Sequence, residues 1–248
     1  VYQAINTVVT DRQLEELKSA VEFACKIGID GLITQDLALV AVVRECCPDM
    51  EIHASTQMTI HTKRGVMLAG EMGFSRVVVS RELTGEIIKQ LCKLPTEIEV
   101  FVHGALCMSV SGQCYMSAVI GSRSANRGLC AQACRLPVSA VKGKSDRHDL
   151  SLKDMSYIEH IRELSQMGVA SLKIEGRMKR PEYVACAVDS VRKALEGKPY
   201  DINMLESVFS RSGFTDGYYR SRTGAEMFGF RQKEDVLSSA EVLPAIHE

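Results

Sequence analysis

No stretch of the 248-residue sequence approaches the ~18 consecutive apolar residues that a membrane-spanning helix needs, and the N-terminus lacks a basic segment followed by an apolar one. The expectation is a soluble, cytoplasmic protein with no membrane partner. An excess of charge of one sign is also missing: 30 Lys+Arg face 31 Asp+Glu, a formal net charge of -1. That excludes a generally basic chain that coats nucleic acid, and any RNA would have to be met by a local basic face. Familiar catalytic signatures are absent too. There is no His-Glu-x-x-His helix, no Gly-x-Ser-x-Gly elbow and no glycine-rich phosphate loop of the Gly-x-Gly-x-x-Gly or Gly-x-x-x-x-Gly-Lys-Ser/Thr kind. The chain opens on Val1 rather than Met, with a strand-like segment at once, and reads as beginning inside a domain.

What is present is a rhythm. Short β-branched runs recur at Tyr2 to Asn6, Gly31 to Thr34, Glu51 to Ala54, Arg76 to Ser80 and Ile98 to His103. Between them lie helical patterns: one at Asp11 to Val21, with apolar Leu14, Leu17, Ala20 and Val21 behind a Thr10 or Asp11 cap, and others at 37–47, 60–72 and 83–93. Later strands are expected at Val138 to Val141 and Ala170 to Glu175, with helices at 154–166 and 181–196. Parallel neighbours need crossover connections, so this alternation predicts an α/β fold with a parallel sheet. Six or seven strands fall short of eight. The preferred reading is a (β/α)8 TIM-type barrel lacking its first β/α units and carrying a Cys-rich insertion after the strand ending at His103; an open doubly wound sheet is the alternative. Polar residues cluster at strand C-terminal ends, among them Asn6, Thr34, His53, Gln57, Ser80, Arg81, His103 and Glu175, where a barrel carries its active face. The barrel domain is assigned to 1–200. Residues 201–248, with the glycine-punctuated loop Ser210 to Tyr219 and a charged tail from Arg231, are assigned to an extension leading toward a further domain.

Nine cysteines without a secretory signal point to metal or redox chemistry rather than a disulfide framework. Cys107, Cys114, Cys130 and Cys134 crowd into one stretch as C-x6-C-x15-C-x3-C. Four soft thiolates suit an iron–sulfur cluster or zinc, and the spacing matches no common zinc module, so a cluster is favoured, with zinc or unligated thiols as alternatives. Cys25, Cys46, Cys92 and Cys186 lie in helical patterns and read as small apolar core residues; Cys47 sits at a helix end. In Leu172-Lys-Ile-Glu-Gly-Arg177, alternation turns Lys173 and Glu175 to the face opposite Leu172 and Ile174. Aimed at a barrel interior they could bind an anion and move a proton; on an exposed strand they would be an ordinary salt-bridge pair. A Cys107/His103 dyad is a further, weaker possibility.

Together, Glu99-Val-Phe-Val-His-Gly-Ala-Leu-Cys107, Ser111-Gly-Gln-Cys114, Asn126-Arg-Gly-x-Cys130-Ala-Gln-x-Cys134-Arg135 and Leu172-Lys-Ile-Glu-Gly-Arg177 resemble the peptidase U32 family. Ile52-His-Ala-Ser-Thr-Gln57, Val79-Ser-Arg-Glu-Leu83 and Gly213-Phe-Thr-Asp-Gly-Tyr218 extend the resemblance from Val1 to about Gly229. The resemblance implies a [4Fe–4S] cluster on Cys107, Cys114, Cys130 and Cys134, and oxygen-independent or prephenate-dependent hydroxylation of a tRNA wobble uridine, a 23S rRNA cytidine or a quinone precursor, of which RNA, with a small carboxylate such as prephenate as a candidate co-substrate, is the preferred reading. Lys173, Glu175 and His103 would be catalytic, and Arg123, Asn126, Arg127, Arg177, Arg81 and Gln57 would hold substrate. The family's older label implies instead a collagenase-like peptidase acting on a peptide; a metal-stabilised, non-catalytic scaffold is the third reading.

Overall fold

The computed structural model describes residues 1–138 and 147–246. Its frame is a run of parallel strands, β1 (Tyr2–Ala4), β2 (Gly31–Thr34), β3 (Glu51–Ala54), β4 (Arg76–Val78) and β5 (Glu97–Ala105), joined through helices α1 (Leu14–Lys26), α2 (Leu37–Cys46), α3 (Lys63–Glu71) and α4 (Gly85–Leu91). Local chemistry starts each helix. Thr10 and Gln13 form a capping box before α1, Asp36 accepts from the Ala38 N–H, Thr62 from Gly65 and Thr84 from Ile87. The Thr62 and Thr84 caps set the starts of α3 and α4, which are shorter than the apolar patterns at 60–72 and 83–93 suggest.

Beyond β5 the chain forms α5 (Met116–Gly121), β6 (Asp154–Ser156), α6 (Ile161–Gln166), β7 (Ser171–Ile174), α7 (Pro181–Glu196), α8 (Ile202–Val208), β8 (Phe214–Thr215) and α9 (Lys233–Ile246). β7 runs parallel along residues 99–103 of β5, and β6 runs antiparallel along residues 103–105. The register slips between Phe101 and His103, and this irregularity lets one nine-residue strand serve two partners in succession. β8 then pairs with β6 in parallel. The helix expected over 154–166 therefore begins as a strand. Ile158, Ile161 and Leu164 carry the helical spacing, but the unpaired backbone at the end of β5 recruits Asp154–Ser156 first. The strand expected at Val138 to Val141 lies, past Val138, outside the described residues.

Strands β1 to β5 and then β7 lie side by side in chain order without reversal, whereas a doubly wound sheet reverses at a switch point. The ends do not meet: among the described residues β1 and β8 are unpaired with each other, so the expected ring is not closed by these residues and the sheet is open between them. Right-handed crossovers in a sheet that advances one way place α1 to α4 on a single face. Leu32, Ile52, Ala54, Val77, Ile98, Val100 and Val102 are buried toward that helical layer. Residues 201–229 are packed into the same body, since Leu205, Tyr219 and Met227 share its core. Cys25 on α1 and Cys47 after α2 bring their sulfurs together with Cα atoms 6.6 Å apart, while Cys46, Cys92 and Cys186 pack against the core. Among the described residues no helix is long and apolar enough to cross a membrane.

One glycine fixes how closely β5 and β7 approach. Gly104 has φ +135°, and a Cβ there would stand 2.4 Å from the Glu175 Cβ. Gly104→Ala is expected to cost roughly 3 kcal/mol of stability, strain and overlap combined, in a urea titration. Gly112→Ala, at φ +76° with nothing within 4 Å, should cost only about 1 kcal/mol. Equal losses would mean that the close approach of Glu175 is not what requires the glycine.

Candidate functional site

Strand alternation and register collect charge on the face opposite the helical layer: Glu51 and His53 from β3, Arg76 from β4, Glu97 and Glu99 from β5, Lys173 from β7. Lys173 Nζ donates to Glu99 Oε1 at 2.6 Å. Arg76 reaches Glu97 at 2.7 Å and Glu99 at 3.6 Å, and the His53 ring lies 4.6 Å from that of Tyr2. Burial opposes the ionised form of Glu99, but Lys173, Ser171 and Arg76 overcome it and hold the carboxyl below its ordinary 4.5. Burial likewise pulls the His53 imidazole below its ordinary 6.5.

Lys173 and Glu175 share a face, as the alternation predicts, yet neither partners the other. Glu175 Oε2 accepts from Arg81 Nη2 at 3.0 Å and its Oε1 from the Arg177 backbone N–H at 3.3 Å. Arg81 lies over the Phe101 ring at 3.8 Å and donates to the Ala105 carbonyl at 2.6 Å, so a residue from beyond β4 is locked across the ends of β5 and β7. His103 stands apart from both pairs. It is 1% exposed, with neither ring nitrogen hydrogen-bonded, stacked 5.6 Å from Tyr183 and edge-on to Phe214 at 5.1 Å. Burial, with Lys179 adding to it, lowers its pKa to about 4, so the ring is neutral.

The cysteine stretch follows β5 and lies across strand C-terminal ends. Arg127 Nη2 donates to the Val8 carbonyl beyond β1 at 2.7 Å, and Gln113 Nε2 to the Gln57 carbonyl beyond β3 at 2.5 Å. Beyond β4, Ser111 bonds Ser80 through its hydroxyl at 2.9 Å and the Glu82 carboxylate through its N–H at 2.9 Å. Within the stretch, Cys107, Cys114, Cys130 and Cys134 are free thiols, of which Cys130 is exposed and the others half-buried. Burial pushes the Cys107 thiol up, a backbone N–H from Ser109 opposes it, and Cys134, Cys114 and Cys130 each push it further. Cys114 accepts from the Met116 N–H at 3.4 Å and Cys130 from the Gln132 N–H at 3.3 Å. Thiolates are soft donors of the type that suits an iron–sulfur cluster. Among the described residues, no group of three or more His, Cys, Asp or Glu side chains is arranged so that it could hold a metal ion.

Arg135, next to Cys134, anchors this arrangement: its guanidinium donates to the carbonyls of Leu106, at 2.5 Å, and Leu152, and to the Ser151 hydroxyl at 3.0 Å. Of the other expected substrate contacts, Arg123, Arg127 and Arg177 are exposed, Asn126 Oδ1 and Gln57 Oε1 are buried without a partner, and Arg177 approaches Gly128. Neither Glu99 nor Asp154, which pairs with Arg211, is assigned a role from the sequence. The first carried one signal, an acidic residue inside the apolar strand Glu97–Ala105.

The family model for peptidase family U32 matches residues 1–229. The chain is 33% identical over 269 residues to a tRNA hydroxylation protein P of Escherichia coli, covering 85% of this chain and 58% of that protein. It is 36% identical over 202 residues to the Escherichia coli 23S rRNA 5-hydroxycytidine C2501 synthase, covering 79% of this chain and 30% of the relative. A collagenase of Porphyromonas gingivalis is 34% identical over 248 residues, covering 88% of this chain and 59% of that one. The chain thus spans well under two thirds of the length of each.

The buried pair Glu99–Lys173 generates a pH-dependent prediction. A carboxyl held below its ordinary 4.5 stabilises the fold above that value and loses its contribution as pH falls through the lowered one. Glu99→Gln should lower stability by roughly 3 kcal/mol near neutral pH, because Lys173 loses its buried counter-charge. The penalty should shrink as pH falls below about 4.5. Urea midpoints of both proteins across that range read it; a constant difference would mean that the ion pair contributes no net stability.

Proposed function

The chain belongs to peptidase family U32, and from that premise we propose that it acts in iron–sulfur-dependent hydroxylation of an RNA base, with Cys107, Cys114, Cys130 and Cys134 holding a [4Fe–4S] cluster. The feature that carries the reading is the run of four free thiols, Cys107, Cys114, Cys130 and Cys134, in the stretch after β5 that Arg135 ties back to the Leu106 carbonyl. Two of the relatives are named for hydroxylation of tRNA and for a hydroxycytidine in 23S rRNA. A cluster brings its own inorganic core between the thiolates and asks less convergence of them than one tetrahedral ion, so zinc is the second choice. When bound, the cluster supplies one-electron transfer.

The remaining roles belong to this chain's side chains. Arg123, Arg127 and Arg177 present exposed cations around the cysteine stretch, suited to a phosphate backbone despite the balanced overall charge. Glu175 has one oxygen held by Arg81 and the other by a backbone N–H, so its direction is set for accepting a proton from a bound group. Lys173 is committed to Glu99 and serves to hold that carboxylate ionised rather than to meet substrate. His103, neutral and buried between aromatic rings, backs the site without taking protons near neutral pH.

The proteolytic reading needs a thiolate activated by a base. Burial and three neighbouring thiols push Cys107 away from the thiolate, and His103 is the opposite of an imidazolium partner. Nucleoside mass spectrometry of RNA from cells lacking the protein, complemented with wild type or variants, tests the proposal. A hydroxylated pyrimidine should be restored by wild type, absent with Cys107→Ala and reduced about 100-fold in rate with Glu175→Gln. Unchanged RNA, together with cleavage of a collagen peptide by the purified full-length protein, would overturn it.

A further inference from the structure

The nine cysteines stand in two chemical states. Seven are free thiols, those of the cysteine stretch among them, whereas Cys25 and Cys47 are joined sulfur to sulfur. Cys25 is the penultimate residue of α1, and Cys47 directly follows the last residue of α2. The bond therefore ties together the C-terminal ends of two helices whose flanking strands, β1, β2 and β3, are consecutive neighbours in the sheet. The two Cα atoms stand 6.6 Å apart, inside the span of a disulfide, and the cysteines are 22 residues apart in sequence with the whole of β2 between them.

The helical layer has ties of its own that do not involve sulfur. Val21 and Ala24 of α1 and Leu39 and Val43 of α2 are fully buried in the core. Lys18 Nζ donates to Glu45 across the same two helices at 2.9 Å. Arg44 fastens the turn after Cys47 by donating to the carbonyls of Pro48 at 2.7 Å, Met50 at 3.0 Å and Gly73 at 2.8 Å. A dithiol form keeps this packing and these bonds and loses only the closure of the chain, which is the main source of a disulfide's stabilisation. Cys25 and Cys47 are both half-buried, with exposed Lys26 beside the first and exposed Pro48 beside the second, so a small thiol can reach the bond. The pair is also remote from the cysteine stretch. That stretch lies across strand C-terminal ends, whereas Asp30, shortly after α1, donates its N–H to the Val1 carbonyl at the opposite end of β1.

We propose that Cys25 and Cys47 form a reversible thiol–disulfide exchange site, oxidised by a low-molecular-weight disulfide and reduced by the corresponding thiol, that sets the stability of the α1–α2 layer. Each cysteine gives up one proton and one electron: two thiols and one small disulfide, such as oxidised glutathione, yield the Cys25–Cys47 bond and two small thiols. The exchange passes through a mixed disulfide on one cysteine that the other displaces. Cys46 adjoins Cys47 in sequence yet is a free thiol packed against the core, and it serves as the internal control. The exchange requires neither a metal nor RNA, so it stands or falls independently of the hydroxylation reading.

Equilibration of the full chain in glutathione buffers from reducing to oxidising, followed by alkylation, peptide mapping by mass spectrometry and a thermal melt in each buffer, tests the assignment. Wild type should pass from unlinked to Cys25–Cys47-linked in a single two-electron transition and return when reduced glutathione is restored. The linked form should melt roughly 5 °C or more above the unlinked one. Cys46→Ser should match wild type, while Cys25→Ser and Cys47→Ser should show no such rise in the same buffers, which separates the link from oxidation of the other cysteines. Linkage and its reversal are read on wild type, so the test survives if a serine variant fails to fold. Glutathione adducts on Cys25 and Cys47 without a link, a link that persists in the folded protein under excess reduced glutathione, or equal melting of linked and unlinked wild type would each overturn the proposal.

Discussion

The arrangement depends on one half-buried guanidinium. Arg135 is partly withdrawn from water at the end of the cysteine stretch, where two carbonyls, one hydroxyl and the charge of nearby Asp154 receive it. Those acceptors come from different places, Leu106 at the end of β5 and Ser151 and Leu152 just before β6. A side chain beside Cys134 therefore ties the end of the cysteine stretch to the end of β5 and to the residues just before β6.

Around this anchor the protein separates its charges into neighbourhoods with distinct tasks. Glu99 is held ionised by Lys173 and Arg76 on the sheet's polar face. Glu175 with Arg81 is tied less completely and sits nearer the strand ends. The cysteine stretch follows next, with amides donating to Cys114 and Cys130, and elsewhere Lys179, Arg211 and Arg231 stand around the Phe209 ring.

Much of the frame was legible in the residues. β1 to β5 announce themselves as β-branched runs between capped helices, and alternation alone oriented Lys173 and Glu175 correctly. The three-residue β6 and two-residue β8 carry no periodicity of their own and exist because β5 offers backbone to pair with. Cys107, Cys114, Cys130 and Cys134 were visible by donor type and crowding. Glu99 was hidden in plain sight as one more strand residue, and Lys179, Arg211 and Arg231 are scattered through helix starts and loops, so only the packing of α7 and α8 on the strand ends brings them to one ring.

The central claim is that the four cysteines hold iron and sulfide. Anaerobic purification or reconstitution, followed by iron, sulfide and zinc analysis with an absorption spectrum, addresses it directly on this chain, on a longer form and on Cys107→Ala and Cys134→Ala. The account predicts about four irons and four sulfides per chain with broad charge-transfer absorption, lost in both variants. Stoichiometric zinc without sulfide, or iron retained when Cys107 and Cys134 are removed, would contradict it.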